Sequence, residues 1–138
     1  MKTLEELREF FAKDNFATQQ TGIVIEDAAP GYAKVSIEID DRHINGIGRV
    51  MGGVYFTLAD FAASVAKNQD FDEEMSVAMN GQMDFISSAS EGKLFAEARI
   101  IKDGRKISFC EIKIFDEKEK LIARSNITSY KVKEKTNV

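Results

Sequence analysis

One acidic residue, Asp60, stands in the middle of the most apolar stretch of the sequence, which runs MGGVYFTLADFAASVAKN from Met51 to Asn68. Two adjacent glycines, Gly52 and Gly53, lie near its start. Burying an unpaired carboxylate is costly, so a chain that keeps one in such a segment usually retains it for a reason. These residues are therefore the first candidates for chemistry.

The polar residues of this stretch fall on one narrow face of a predicted helix over residues 53–67. They are Gly53, Thr57, Asp60 and Ser64. The N–H groups at a helix N-terminus stabilise a carbonyl oxygen that gains negative charge, and glycine lets a ligand come close to them. Asp60 lies two turns further along, about 10 Å by the helical rise, which is too far to act on that same carbonyl. It could serve a carbonyl held by the second copy of a symmetric dimer in which the two helices run antiparallel.

A structural interpretation of the same residues stays open at this point. A helical Asp can bond a nearby hydroxyl or face solvent, and a pair of glycines can simply shape a turn. If Asp60 is functional, burial should raise its pKa and make it a better base than a solvated Asp, while a nearby helix N-terminus would oppose that rise.

The segments around this helix predict an α+β fold. A capping-box pattern begins a short amphipathic helix over 3–14. A hairpin follows, with strands over 22–26 and 32–40 and a turn over 27–31. Four further strands are predicted over 76–86, 94–102, 106–115 and 121–132, and the last three form an antiparallel meander. A helix that is apolar nearly all round needs contacts on several sides, so we expect a curved antiparallel sheet wrapped around one long central helix.

Length and composition describe one domain, 1–138, with residues 1–20 as an N-terminal helical extension. The chain is 43% apolar and 30% charged, and its net charge of −4 offers no basic excess for nucleic acid. No apolar run approaches the roughly 18 residues that span a bilayer, and the N-terminus lacks the apolar core of a secretory signal. One histidine and one cysteine make a metal site with such ligands improbable, and the lone Cys110 fits a reducing compartment. We expect a cytoplasmic protein without metal that binds neither nucleic acid nor membrane.

The segment HINGIGRVMGGVYFTLAD, residues 43–60, resembles the signature of the PaaI-like hotdog-fold acyl-CoA thioesterases, roughly N-x-x-G-x-x-H-G-G-x-x-x-(T/S)-L-x-D. The resemblance continues through SVAMNGQMDF, ARIIKDGRKI and LIARSNITSY. It implies the hotdog fold and hydrolysis of an acyl- or aryl-acyl-CoA to a free acid and CoA, with no cofactor because coenzyme A is part of the substrate. It also implies a homodimer, commonly paired as a dimer of dimers, whose site lies between subunits.

The resemblance assigns roles to individual residues. Asp60 matches the family's catalytic carboxylate, which activates water or attacks the thioester directly. Gly52 and Gly53 match the glycines whose N–H polarises the thioester carbonyl, with Gly52 the favoured donor. Asn45 matches the loop asparagine that helps orient water or substrate. Ser76 falls near a strand position that often carries a hydroxyl for the water.

Met51 departs from the family pattern, which usually has His at this position. The change keeps the N–H that follows, removes a polar side-chain contact and adds soft apolar surface. We expect Met51 and Thr57, which occupies the Thr/Ser position of the pattern, to contact the substrate. His43, the only histidine, is a candidate for the substrate site or for a catalytic base, with a structural role in its loop as the alternative.

A basic cluster surrounds Gly104, and its members Lys102, Arg105 and Lys106 are candidates to bind the CoA phosphates. A solvated turn is the alternative interpretation. Gly81 within a predicted strand indicates a bulge or a close backbone approach.

Three aromatic residues of the long helix, Tyr55, Phe56 and Phe61, either line an acyl pocket or pack in the core.

Two other functions stay open. One is a non-catalytic acyl-CoA-binding sensor on the same fold. The other is a hotdog hydratase or dehydratase, which relies on a His together with a carboxylate.

Overall fold

In the computed structural model, which describes residues 1–134, one long helix packs against the concave face of a six-stranded antiparallel sheet. The elements in chain order are α1 (Leu4–Phe11), β1 (Val24–Ala29), β2 (Tyr32–Glu38), α2 (Gly52–Lys67), β3 (Met75–Phe85), β4 (Lys93–Asp103), β5 (Ile107–Asp116) and β6 (Leu121–Lys133). The α+β arrangement of a curved sheet around one helix is therefore confirmed.

The strands lie in the order β1-β2-β4-β5-β6-β3. The predicted meander is confirmed as β4-β5-β6, in which each strand pairs with the next. β3 follows α2 directly in the chain but pairs with β6, so it forms one edge of the sheet. The other edge is β1, which is bonded to β2 in the hairpin.

The long helix α2 is apolar on every side except one. Its buried residues include Leu58, Phe61 and Val65. The inward face of β4 presents Ala96 and Ala98, both fully buried, and these small side chains let the helix lie close to the sheet. Residues 53, 57 and 60 fall on the remaining side, which stays partly or fully open to solvent in the single chain.

The hairpin differs from its prediction in both strands. β1 continues to Ala29, so the predicted turn over 27–31 shrinks to Pro30 and Gly31, with Ala29 paired to Tyr32. Gly31 has φ +70°, the left-handed conformation that a tight turn requires and that glycine adopts at little cost. β2 ends at Glu38 rather than at residue 40, because the following residues form a 3₁₀ turn over Asp41–His43.

The N-terminal segment contains one predicted element and one that the pattern did not predict. The capping box is confirmed, since the Glu6 N–H donates to Thr3 Oγ1 and the Thr3 N–H donates to a Glu6 carboxylate oxygen. The helix ends at Phe11, however, and a π-helical turn over Phe16–Gln20 follows it. The N–H of Thr21 donates to the carbonyl of Phe16 at 2.9 Å, which is the i→i+5 spacing of a π-helix.

None of the helices in residues 1–134 is long and apolar enough to cross a bilayer.

Candidate active site

Asp60 lies at a cavity of about 440 Å³ that is lined by α2, β3, the segment before β1 and one residue of β6, Ile127. This volume is at the small end of the range for ligand pockets, about 300–1,000 Å³. The lining includes Phe56, Thr57 and Phe61 of α2, residues 78–81 of β3, and Asp14 and Phe16 of the segment before β1. Two acids, Asp60 and Asp14, thus face a small space whose other lining residues are mostly aromatic and aliphatic.

The surroundings of Asp60 favour its neutral form. Desolvation by the neighbouring protein raises the pKa of this carboxyl above its ordinary value, and the nearby Asp14 carboxylate raises it further. Within residues 1–134 Asp60 makes no hydrogen bond or ion pair that would oppose the rise. The direction predicted from the sequence is confirmed, although in the single chain the side chain is open to solvent rather than buried inside the fold. Asp60 is therefore a stronger base than a free Asp.

Thr57 lies one turn before Asp60 and lines the same cavity. Its hydroxyl donates to the carbonyl of Gly53 at 2.9 Å, so the oxygen remains able to accept a hydrogen bond from water or a ligand. Of the polar residues predicted to contact the substrate, Thr57 is the one that lines the Asp60 cavity.

The glycine pair begins α2, two turns away from Asp60. Helix geometry leaves the N–H groups of Gly52 and Gly53 without an acceptor inside the helix, and no other acceptor occurs within residues 1–134. Space beside the two glycines is limited: an added Cβ at Gly52 would lie 3.2 Å from the Phe85 ring, which would have to shift slightly, and one at Gly53 would lie 2.7 Å from the end of the exposed Met51 side chain, which can move aside. The helix start therefore presents backbone N–H groups in a setting that Met51 and Phe85 make apolar.

Asn45 shapes the loop that leads into this helix start. Its side-chain oxygen accepts the N–H of Ile47 at 3.1 Å and that of Arg49 at 3.0 Å. The Asn45 side-chain amino group makes no hydrogen bond within the described chain and is available to a ligand or to a second chain.

His43 lies apart from the Asp60 cavity. It is 2% exposed, its Nδ1 accepts the N–H of Asp40 at 2.9 Å, and its Nε2 lies 2.8 Å from the carbonyl oxygen of Thr21. Because a carbonyl can only accept, Nε2 carries the proton and the ring is the neutral tautomer. Both nitrogens are thus engaged in the fold, and the ring faces the N-terminal segment.

Ser76 is also buried away from the cavity. The Asn68 side-chain amide accepts the Ser76 N–H at 2.8 Å and donates to its carbonyl at 3.0 Å, which ties the start of β3 to the end of α2. The part of β3 that lines the cavity is residues 78–81.

The basic turn between β4 and β5 lies beside the C-terminal end of α2, since Asp103 forms an ion pair with Lys67 at 3.4 Å. Lys106 pairs with Glu134, whereas Lys102 and Arg105 form no ion pair within residues 1–134. The turn is therefore distant from the glycine end of the same chain and close to the opposite end of the helix.

The sequence pattern missed part of the cavity wall. Asp14 and Phe16 were assigned to a helical extension, yet the π-helical turn brings them to the same cavity as Asp60. The prediction for Gly81 is better supported: a bulge occurs between Ala78 and Asn80, and an added Cβ at Gly81 would lie 3.1 Å from the Phe56 ring. The close approach at Gly81 is thus made by a cavity residue.

The aromatic residues of α2 divide between the two predicted roles. Phe56 lines the cavity and is partly exposed, and Phe61 lines it with an edge while remaining in the core. Tyr55 is buried elsewhere and accepts the Ala89 N–H with its hydroxyl at 3.2 Å.

Comparisons with known proteins agree with this architecture. The model of the thioesterase superfamily matches residues 47–123. The 1,4-dihydroxy-2-naphthoyl-CoA hydrolase of Listeria monocytogenes is 32% identical, over 78% of this chain and 88% of that protein. A solved thioesterase of Haemophilus influenzae superposes with a TM-score of 0.87 at 26% identity, over 96% of this chain and 92% of that one. The E. coli PaaI protein of the phenylacetic acid degradation operon superposes with a TM-score of 0.86 at 22% identity, over 97% and 96% of the two chains.

Proposed function

The chain belongs to the thioesterase superfamily and has the hotdog fold, and from this premise we propose that it is an acyl-CoA thioesterase. The reaction hydrolyses the thioester of an acyl- or aryl-acyl-CoA to a free acid and CoA. The observation that carries the proposal is the position of Asp60, a carboxylate of raised pKa at a small apolar cavity. It lies on the same helix as two glycine N–H groups that have no acceptor among residues 1–134.

The spacing along α2 supports a site shared by two chains. Asp60 and Gly52 are about 12 Å apart along the helix, so one substrate carbonyl cannot contact both residues of one chain. In an antiparallel pair of helices, the Asp60 of one chain lies opposite the glycine end of the other. We therefore propose a homodimer in which each site takes Asp60 from one chain and Gly52 from its partner.

The edge of the sheet supports the same dimer. β3 is an edge strand, and three of its apolar side chains are about half exposed: Val77 at 51%, Met79 at 58% and Phe85 at 57%. A long apolar edge strand in a stable protein is normally covered. Pairing β3 with its copy about a two-fold axis would join the sheets and bring the open faces of the two α2 helices together.

A dimer of dimers is the further assembly that we propose. The outer face of the sheet exposes Ile101, Phe109 and Tyr130 near the β4–β5 turn. Apolar surface of this kind often marks a protein contact, and a second dimer would cover it. Light scattering on the purified protein measures the mass and separates dimer from tetramer.

In the first mechanism that we propose, Asp60 acts as a general base. It takes a proton from a water molecule, whose oxygen attacks the thioester carbonyl carbon. The carbonyl oxygen becomes negative and is stabilised by the partner's Gly52 N–H, with Gly53 as the second donor. The C–S bond then breaks, and protonated Asp60 returns the proton to the thiolate of CoA.

In the second mechanism, Asp60 acts as the nucleophile. Its carboxylate oxygen attacks the same carbon, the thiolate leaves, and a mixed anhydride joins the acyl group to Asp60. Water then cleaves the anhydride to the free acid and Asp60. The geometry supports both mechanisms equally, since each needs the carboxylate beside the carbonyl and the N–H groups on its oxygen.

The remaining predicted residues have supporting roles in this proposal. The free amino group of Asn45 orients the water or the substrate, and Met51 provides apolar contact at the glycine end. Lys102 and Arg105 lie at the end of α2 that an antiparallel partner would bring near its own glycine end, so they are placed to bind CoA phosphates. Lys106, which already pairs with Glu134, would contribute less.

The two rival functions have weaker support. A hydratase or dehydratase needs an available histidine, and both nitrogens of His43 are engaged in the fold. A non-catalytic sensor has no need of a carboxylate with a raised pKa.

The direct test is to replace Asp60 with Asn and with Ala and to measure CoA release from several acyl-CoAs as free thiol. We expect kcat to fall by about 10²–10⁴-fold in both variants, because either mechanism loses its acid-base or nucleophilic group. Glu91→Gln, which removes an exposed carboxylate outside the cavity, is the control and should keep wild-type turnover. Near-native turnover in the Asp60 variants would refute the proposal.

A further inference from the structure

We infer that the N-terminal wall of the cavity, formed by Asp14, Phe16 and Ala17, selects the acyl group of the substrate. It favours uncharged acyl groups that are long enough to reach the Phe16 ring and disfavours those that end in a carboxylate. The inference rests on the proposed function, because it assumes that the acyl group enters the Asp60 cavity.

The wall lies outside the part of the chain that carries the family pattern. The family model begins at residue 47, whereas these three residues lie about thirty positions earlier. Hydrogen bonds and burial nevertheless fix the wall in the fold. Ala17 is buried, its carbonyl accepts the N–H of Ile23 at 3.0 Å, and the Thr18 hydroxyl donates to the carbonyl of Asp14 at 2.9 Å. The π-helical turn is itself a rare element that is often found at functional sites.

Two side chains from a distant loop fix the end of this turn. Arg42 Nη1 donates to the carbonyl of Gln20 at 2.9 Å, and His43 Nε2 donates to the carbonyl of Thr21 at 2.8 Å. Both residues immediately precede the loop of Asn45. His43 thus acts as a positioning residue, because it holds the end of the turn in place and does not itself line the cavity.

Phe16 forms the rim of the cavity. The residue is 64% exposed, and its ring contacts no other aromatic ring within residues 1–134. Together with Phe56 and Phe61 it gives the cavity an aromatic lining on two sides. An acyl chain or ring in the cavity would cover the Phe16 ring and remove apolar surface of both partners from water.

The charges at the cavity are all of one sign. Asp14 and Asp60 are its ionisable groups, and no Lys, Arg or His lines it in the described chain. A terminal carboxylate on the acyl group would meet two acids and no cation, which is an unfavourable arrangement. The cavity therefore discriminates between a fatty acyl group and a dicarboxylic acyl group of the same length.

The test compares kcat/KM for acetyl-, butyryl-, hexanoyl- and succinyl-CoA by thiol release. The variants are Asp14→Asn and Phe16→Ala. The matched controls are Glu9→Gln, which removes an exposed acid of α1, and Leu121→Ala, which removes an exposed apolar side chain at the start of β6. All results are read as ratios between substrates of one enzyme preparation, so a general loss of folded protein does not affect them.

We expect the wild type to prefer butyryl- over succinyl-CoA by about tenfold or more. Asp14→Asn should reduce that preference by about threefold or more, because one of the two repelling charges is gone. Phe16→Ala should reduce the ratio of hexanoyl- to acetyl-CoA by about tenfold, through KM, because the longer chain loses its contact. The controls should keep the wild-type ratios.

Hydrolysis with unchanged ratios in both variants would overturn the inference while leaving the proposed function in place. No thiol release from any acyl-CoA by the wild type would overturn the proposed function, and the inference with it.

Discussion

The chemistry proposed for Asp60 depends on the desolvation and the charges around its carboxylate. The carboxylate faces a small cavity and a second acid, Asp14, and no cationic side chain of residues 1–134 lines that cavity. Both surroundings raise the pKa of Asp60, by desolvation first and by like charge second. A carboxylate with a higher pKa is a stronger base in its ionised form.

This has a consequence for the pH dependence of the reaction. The base must be ionised to act, so kcat/KM should fall on the acid side with a midpoint above the ordinary Asp value of 3.8. Asp14→Asn removes the negative charge beside Asp60. Because ionised Asp60 is then more stable, the midpoint should move to lower pH. The measurement is kcat/KM against pH for the wild type, for Asp14→Asn and for the control Glu9→Gln. An unchanged or higher midpoint in Asp14→Asn would show that the two acids do not interact.

At the scale of elements, the close contact between β3 and α2 is made at a glycine. The Phe56 ring lies where a side chain of residue 81 would otherwise stand, with 3.1 Å from the ring to an added Cβ. The same ring lines the cavity, so the packing of β3 on α2 and the shape of the site are linked.

Gly81→Ala tests this link. Its backbone is not in the left-handed region, so the effect of the methyl group is steric, and the Phe56 ring must move away from β3. We expect the free energy of unfolding to fall by about 1–3 kcal/mol, as measured by chemical denaturation. Gly46→Ala is the control, because an added Cβ there meets nothing within 4 Å, and its effect should stay within about 0.5 kcal/mol. Equal stability of the two variants would contradict the packing described for Gly81.

The sequence predicted the elements that have a strong local pattern. The strands β4, β5 and β6 and the apolar run of α2 were predicted within one or two residues of their observed bounds. The strand order of β3 was not predictable in this way, because its pairing with β6 depends on contacts some fifty residues apart in the chain. A local pattern carries no information on such contacts.

The N-terminal wall of the cavity likewise could not be predicted from a local sequence pattern. The π-helical turn depends on bonds from Arg42 and His43 to carbonyls 22 residues earlier in the chain. No local spacing in the segment DNFATQQ indicates such bonds. Asp60 and Gly53 were candidates because helical projection and the resemblance both pointed to them, and Gly52 because of the resemblance, whereas Asp14 and Phe16 lie outside both.

At the scale of the whole molecule, the proposed function divides the site into two halves that lie apart in one chain. The base lies at one point of α2 and the free N–H groups lie about 12 Å away at its start. The exposed apolar edge of β3 and the open face of α2 lie on the same side of the chain as both halves. A two-fold pairing across this side would complete two sites at once.

Gly52→Pro tests the glycine half of the proposed site, because it removes one N–H donor. Gly52 is the first residue of α2, where proline fits, and Met51 before it is extended at ψ 140°, as a residue before proline prefers. The substitution removes the N–H donor and keeps the helix. Gly52→Ala, which keeps the N–H beside an added methyl group, is its control.

The most direct test of the shared site mixes two inactive variants. Asp60→Asn and Gly52→Pro are unfolded together, refolded in equal amounts, and assayed for thiol release from an acyl-CoA that the wild type hydrolyses. Half of the dimers should contain one chain of each kind, and each of these has one intact site, so activity should return to about a quarter of the wild-type value. A mixture no more active than the two variants refolded separately would contradict the account, because Asp60 and Gly52 would then belong to the same chain's site.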